Sequence, residues 1–195
     1  MKPFLLGLSL VLGACSAQAQ LVPLWPLPVP DTSADNAFGE AVALGPDRAV
    51  VGAGGVRGCG PASGAVYVYE RRNGAWTLAA VLQPDDCASG RHFGRAVALD
   101  GDRILAVAAG QPYRTEVADA AYVFERGAGG RWHQTARLTA PPDAPTGAFG
   151  AAVALDGPRA VVSTWGDPAR QRPGAAYVFV QQPDGFWKLE ATLTD

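Results

Sequence analysis

The hydrophobic positions of this chain fall into short runs that are separated by turn signals. In the first stretch that shows the pattern, the runs are residues 41–44, 48–53, 65–70 and 76–82. Between the last two lies Asn73-Gly74, a dipeptide that tolerates the positive φ values of hairpin turns. The pattern predicts four antiparallel strands in this stretch, and it predicts no helix anywhere after the N-terminal segment.

The distribution of apolar residues separates inner strands from an outer one. The first three runs are apolar on consecutive positions, as a sheet covered on both faces requires. The fourth run alternates, so that one set of side chains is expected to point inward and the other into water. In the second stretch these sets are Trp132, Gln134, Ala136, Leu138 and His133, Thr135, Arg137, Thr139. A four-stranded sheet whose outer strand has one face exposed to solvent is typical of a β-propeller blade.

The same stretch occurs three times. FGEAVALGPDR begins at Phe38, FGRAVALDGDR at Phe93 and FGAAVALDGPR at Phe149, so the copies start 55 and 56 residues apart. A fixed period in this range indicates a repeat architecture, in which each unit buries its faces against its neighbours. The sequence therefore predicts an all-β, propeller-type array with blades at residues 38–92, 93–148 and 149–195.

Three blades are too few for a closed ring, which takes about four to eight. Two expectations follow, and the sequence leaves both open. Either the chain is a fragment of a longer propeller, or two copies associate as a homodimer with six blades.

The N-terminus carries the signals of export. Lys2 precedes an apolar run that is too short to span a bilayer, and small residues follow it, which predicts a signal peptide over residues 1–19. Cleavage after Ala19 would release a periplasmic or secreted protein. Alternatively, residues 12–15 resemble a bacterial lipobox, and Cys15 would then be lipidated and anchor an outer-membrane lipoprotein.

Residues 20–37 are rich in proline, which excludes a helix and limits any strand to a sheet edge. A Trp, a Leu and a Pro-Asp pair stand shortly before Phe38, as they do before the later Phe-Gly pairs. The segment is either a linker or a degenerate rim strand.

Composition and charge narrow the class of protein. The 195 residues are 48% hydrophobic, enough for one ordinary domain. The net charge of −2 gives no field that would recruit nucleic acid. In an exported protein Cys59 and Cys87 are expected to form a disulfide, with two unpaired thiols as the alternative.

These residues resemble the FG-GAP repeats of integrin α-subunit propellers and their bacterial relatives. Phe-Gly occurs at 38–39, 93–94 and 149–150, and the third runs read GAVYVYE, DAAYVFE and GAAYVFV. The GAP element is only partly kept, as Gly52-Ala53-Gly54 in the first unit. The resemblance implies a β-propeller, usually of seven blades, that serves binding rather than catalysis.

The chain departs from the family at the calcium loop. Many FG-GAP blades have an Asp-x-Asp-x-Asp-Gly loop between their first two strands, and Ca²⁺ needs several oxygen ligands from such a loop. Here the connection is a short turn, as at Asp100-Gly101-Asp102. We therefore expect Asp100 and Asp102 to be turn residues, and we expect no calcium or other cofactor.

Antiparallel strands place the longer connections on one rim, which is the expected face for a protein or cell-surface ligand. Trp, Tyr and Arg are frequent interface anchors. The candidates on this face are Arg57, Tyr113, Arg114, Glu116, Trp165, Asp167, Arg170 and Arg172.

The sequence offers little for catalysis. Its only histidines are His92 and His133, and no nucleophile elbow, zinc-protease motif or phosphate loop is present. We therefore expect an exported, non-enzymatic interaction or adhesion module. The alternatives are a structural envelope lipoprotein, a propeller hydrolase, which loss of activity on mutating His92 would support, and an accessory part of a secreted hydrolase, which the remaining gene sequence would settle.

Overall fold

A computed structural model of the protein describes residues 36–110, 119–142, 144, 149–166 and 173–194. This part of the chain is all-β and forms three sheets of four antiparallel strands. The first sheet contains β1 (Phe38–Leu44), β2 (Arg48–Ala53), β3 (Ala65–Arg72) and β4 (Ala75–Leu82). The second contains β5 (Val97–Asp100), β6 (Arg103–Ala108), β7 (Ala120–Arg126) and β8 (Trp132–Leu138). The third contains β9 (Phe149–Asp156), β10 (Arg159–Thr164), β11 (Ala175–Gln181) and β12 (Trp187–Thr194).

Within each sheet the strands pair in chain order, which confirms the predicted blade-like repeats. The first hairpin turn has positive φ at both central residues, 51° at Asn73 and 81° at Gly74, and the other two have it at Gly130 and Gly185. The three sheets do not close a ring. None of the described residues forms a helix of the length and apolar character that a membrane crossing requires.

Two hydrophobic cores lie between the sheets. We call the face of a sheet that points toward the preceding sheet its leading face, and the opposite one its trailing face. At junction 1 the trailing face of the first sheet packs on the leading face of the second, and at junction 2 the second sheet packs in the same way on the third. Ile104 belongs to the core of junction 1 and its neighbour Leu105 to that of junction 2. Both are fully buried, so the consecutive apolar residues of β6 have the predicted cause.

The prediction that every first strand is covered on both faces is wrong for β1 and β9. In β1, Val42 is 70% and Leu44 is 76% exposed. The matching residue of the second sheet, Val97, is 9% exposed, because the first sheet packs against it. β1 and β9 alternate between half-buried and exposed residues, since among the described residues the outer sheets have a neighbouring sheet on one face only.

The fourth strands differ from the prediction in a second way. Trp132 and Leu138 were expected on one buried side, but Trp132 packs into junction 1 and Leu138 into junction 2. A β-bulge causes the change of face: the pairing of β8 with β7 shifts between Val123 and Phe124, so Thr135 is an extra residue. β4 and β12 have the same register shift. Each fourth strand therefore serves both of its sheet's faces.

The Phe-Gly pairs bring neighbouring sheets into backbone contact. Phe93 forms an isolated parallel bridge with Gly64 of the first sheet. Gly94 has φ of +97°, and a Cβ there would lie 2.6 Å from the carbonyl oxygen of Ala65. Only glycine satisfies both the positive φ and the close approach. Phe93 itself is fully buried, with its ring centroid 5.8 Å from that of Tyr122.

Candidate binding face

The antiparallel order gives each sheet two different edges. The turn edge carries the short connection between the first two strands and the hairpin between the last two. The loop edge carries the connection from second to third strand and the connector from the fourth strand to the next sheet. The predicted binding face is the loop edge.

In the first sheet the loop and the connector are fixed to each other. The predicted disulfide between Cys59 and Cys87 is present, with 6.2 Å between the Cα atoms. The backbone N–H of Gly90 donates to the carbonyl of Pro61 at 2.8 Å, and that of His92 donates to Ala62 at 3.0 Å. These bonds hold residues 54–64 against residues 83–92.

Ser63 organises the loop from inside. It is fully buried, and its Oγ accepts from the N–H of Gly58 at 3.0 Å and donates to the carbonyl of Val56 at 3.4 Å. Arg57, a predicted site residue, lies between these two partners and is exposed. The loop therefore presents the Arg57 side chain from an ordered support. The sequence did not single out Ser63, because a serine in a Gly-rich loop gives no signal of burial.

In the third sheet the predicted site residue Trp165 directly follows β10 and is 62% exposed. The preceding residue, Thr164, is 4% exposed, and its Oγ1 has no hydrogen-bond partner. Beside it lies an open cavity of about 400 Å³. Its lining residues are Thr164, Gly174, Ala175, Leu193 and Thr194.

The other predicted site residues lie outside the described part of the chain. They are Tyr113, Arg114, Glu116, Asp167, Arg170, Arg172 and the possible lipidation site Cys15. Of the predicted face, the structure therefore locates Arg57 on the first sheet and Trp165 on the third, both on the loop edge.

Charged groups of both signs lie near the start of the second sheet. Burial raises the pKa of Asp119, although the N–H of Gly110, at 3.0 Å, and the charges of Arg91 and Arg95 act in the opposite direction. Arg95 also lies 3.9 Å from a carboxylate oxygen of Glu40. Acidic and basic side chains thus lie near one another in this region of the loop edge, and burial has the larger effect on Asp119.

The two histidines lie in different surroundings. His92 is half-buried with φ of 46°, and its backbone belongs to the connector that the disulfide holds. His133 is exposed on β8. Among the residues that the structure describes, no group of three His, Cys, Asp or Glu residues could hold a metal ion.

The turn edge contains an arrangement that sequence reasoning missed. Arg48 opens β2, and its guanidinium donates to the carbonyl of Gly101 at 2.7 Å and pairs with Asp102 at 2.8 Å, both in the second sheet's turn. It also lies 5.8 Å from the ring centroid of Trp132. We call this set the arginine clamp of junction 1.

Junction 2 has the same clamp one unit later. Arg103 donates to the carbonyl of Gly157 and to the side-chain oxygen of Gln181, the latter at 2.9 Å. Its guanidinium lies 5.7 Å from the ring centroid of Trp187. The signal in the sequence was the recurrence of Arg at 48, 103 and 159 and of Trp at 76, 132 and 187. Asp100 of the short turn accepts from the N–H of Gly157 at 2.7 Å.

Glu70 completes the clamp of junction 1. Its carboxylate lies 2.6 Å from Arg72, 3.0 Å from Arg126 and 3.6 Å from Arg48. Burial alone would raise the pKa of Glu70, but the hydrogen bond from Arg72 and the three positive charges outweigh it and lower that pKa. The ionised carboxylate is therefore the form that the folded protein stabilises.

The family model of the FG-GAP repeat matches residues 27–69, 76–124 and 132–179. The second and third matches each run from the fourth strand of one sheet to the third strand of the next, so each includes a junction. The first begins inside the proline-rich segment. No curated protein is significantly similar to the chain. The three matches together cover well over half of the sequence, and the protein belongs to the FG-GAP repeat family.

Proposed function

We propose that this protein is an exported, non-catalytic interaction module whose loop edge binds a protein or a cell-surface ligand. Membership of the FG-GAP repeat family supports a β-propeller-like protein-interaction module. The observation that carries the choice of face is the 62% exposure of Trp165 at the end of β10. When a partner buries an exposed tryptophan side chain, the burial contributes a large favourable free energy to binding.

Two further features support the proposal. Arg57 stands on a loop that a disulfide and buried Ser63 hold in one conformation, so little conformational entropy is lost when a partner binds it. The disulfide also supports export, because such bonds persist in oxidising compartments.

The test is site-specific photocrosslinking in the producing cell. A photoreactive phenylalanine analogue at position 165 should give discrete adducts with a protein other than this chain, or envelope-bound material. The same analogue at Phe186, which is 76% exposed on the turn edge, is the matched control. Adducts at both positions, or at neither, would contradict the choice of the loop edge.

A second measurement concerns the compartment. Thiol alkylation of the protein as extracted from cells should leave Cys59 and Cys87 unmodified until a reductant is added. A protein that is fully alkylated without reductant would speak against export.

A further inference from the structure

We infer that the trailing face of the third sheet binds the leading face of the first sheet of a second copy of this chain. The inference depends on the repeated junctions and not on the loop-edge proposal. Its basis is that the two outer faces carry the two halves of the contact that the structure forms twice internally.

The apolar positions show this directly. On the trailing faces, Leu82 is 6% and Leu138 is 4% exposed, whereas Leu193 at the same register position of the third sheet is 58% exposed. On the leading faces, Val97 is 9% exposed and its equivalent Val42 in the first sheet is 70% exposed. The uncovered residues are thus the ones that a neighbouring sheet covers elsewhere.

The cavity at the third sheet has the location of a vacant Phe-Gly site. At junction 1, Phe93 and Gly94 occupy the space against Gly64 and Ala65. The register equivalents of these two residues in the third sheet, Gly174 and Ala175, line the cavity of about 400 Å³. Buried Thr164 also lines this cavity.

The Phe-Gly pair of the first sheet, in a second copy of the chain, is the group that would fill this cavity. Gly39 has φ of +92°, close to the +97° of Gly94 and the +94° of Gly150. A Cβ at Gly94 or Gly150 would collide with the preceding sheet, whereas a Cβ at Gly39 would meet no atom within 4 Å. Gly39 therefore keeps the conformation of a junction glycine, although none of the three described sheets packs on it.

Charged residues at the turn edges of the third and the first sheet are also complementary to each other. Arg159 holds the position of Arg48 and Arg103, but its side chain is 58% exposed and pairs at 3.4 Å with Glu190 of its own sheet. On the first sheet, exposed Asp47 holds the position of Asp102. The structure thus offers Arg159 and Asp47 as the arginine and the carboxylate of a third clamp.

The two outer faces also carry an arginine and a carboxylate that match the second ion pair of junction 1, between Arg126 and Glu70. Arg71 is exposed and holds the position of Arg126, since the backbone N–H of each donates at 2.9 Å to the backbone carbonyl of the aspartate in its sheet's first turn. At junction 1, Arg126 pairs with Glu70. Val180 replaces that glutamate in the third sheet, and Glu190 supplies the carboxylate for Arg71 instead.

The contact runs along β1 and the turn edge. Tyr67 and Tyr69, in the middle of the first sheet's leading face, are 2% and 0% exposed already. Val42, Leu44 and Gly39 on β1 are exposed and available. The contact joins two different surfaces, so two copies that meet at both ends form a closed array of six sheets, and copies that meet at one end only form an open chain.

The experiment measures self-association of the full chain by sedimentation over a wide range of concentrations. The wild-type protein should associate, and Arg159→Glu should weaken the association about tenfold or more, because it sets two carboxylates against each other. Asp47→Arg should have a similar effect. The double variant Arg159→Glu/Asp47→Arg should recover most of the affinity, since it restores an opposite pair in reversed orientation.

Arg131→Glu is the matched control, because Arg131 is an exposed arginine in the β7–β8 turn. Leu193→Asp is a second variant that removes apolar contact without altering a buried residue. A chain that stays monomeric at every concentration would overturn the inference and leave the face to a different protein or a further repeat. Association that Arg159→Glu leaves unchanged, or that the double variant does not restore, would overturn it too.

Discussion

Junction 1 and junction 2 share the arginine clamp, but the glutamate beside the clamp contacts a different residue of the next sheet in each. At junction 1 the carboxylate of Glu70 meets the guanidinium of Arg126 at 3.0 Å. At junction 2 the equivalent Glu125 accepts from the amide of Gln181 at 3.3 Å. Junction 1 also has the disulfide across its loop edge. The clamp arginine and its carbonyl partner are present in both junctions, and Glu125 also pairs with Arg103 of its own sheet at 3.0 Å. Within the described residues, junction 1 differs by the ion pair that Glu70 forms with Arg126 across the sheets and by the disulfide.

The largest effect is expected where the junctions are alike. Phe93→Ala and Phe149→Ala should each lower the free energy of unfolding by about 3–5 kcal/mol, since both rings are buried between sheets. Urea unfolding measures the loss. Phe186→Ala is the control, because that ring is 76% exposed and its removal should change stability by about 0.5 kcal/mol or less. Equal effects at positions 93 and 186 would show that the Phe-Gly ring does not hold the junction.

The disulfide should distinguish the junctions. Replacing both Cys59 and Cys87 by Ser should cost about 2–4 kcal/mol, because the bridge closes a loop with a sequence separation of 28 residues. Thermal unfolding with and without reductant measures the effect. Reductant should lower the melting temperature of the wild type to that of the double variant, and it should leave the variant unchanged. A variant that melts like the oxidised wild type would show that the backbone bonds suffice.

The ion pair should give a smaller difference. Glu70→Gln removes the charge that three arginines share and should cost about 2 kcal/mol, whereas Glu125→Gln should cost about 1 kcal/mol. Urea unfolding at neutral pH compares the two. A larger loss for Glu125→Gln would mean that the ion pair between Glu70 and Arg126 contributes no more stability than the hydrogen bond between Gln181 and Glu125.

The pH dependence of the Glu70 contribution follows from the lowered pKa. The unfolded chain binds a proton at Glu70 at a higher pH than the folded one does, so stability falls as the pH drops. The contribution is complete above the ordinary glutamate pKa of about 4.3 and is lost as the pH falls through the folded value. The stability difference between wild type and Glu70→Gln should therefore shrink below about pH 4. A difference that stays constant down to pH 2 would contradict this role.

The strands and the disulfide could be predicted from the sequence because their signals are local or compositional. The three-fold recurrence of the Phe-Gly stretch fixed the period, and Asn73-Gly74 and its counterparts marked the hairpins. The bulge in β8 could not be predicted. An extra residue at Thr135 leaves the alternation of half-buried and exposed residues intact while it changes the sheet that the buried ones contact.

The arginine clamp could not be predicted from the sequence of any single unit either. Arg48 and Trp132 recur at fixed positions, but their contact joins different units, and its existence depends on how the sheets pack. Burial of Ser63 depends in the same way on the path of the loop. For the loop-edge residues, exposure of Trp165 and Arg57 agrees with the expectation that loops carry accessible side chains.

The clamp arginines reach a backbone carbonyl, that of Gly101 or Gly157, in the neighbouring turn. Every residue type has such a carbonyl, including Pro46 at the same position of the first sheet. Recognition between units therefore requires no particular side chain at that position, although the φ of 55° at Gly101 and 50° at Gly157 favours glycine there. A gene that lengthens by tandem duplication would gain units that already fit their neighbours, and each copy could then diverge in its loops without losing its place in the array.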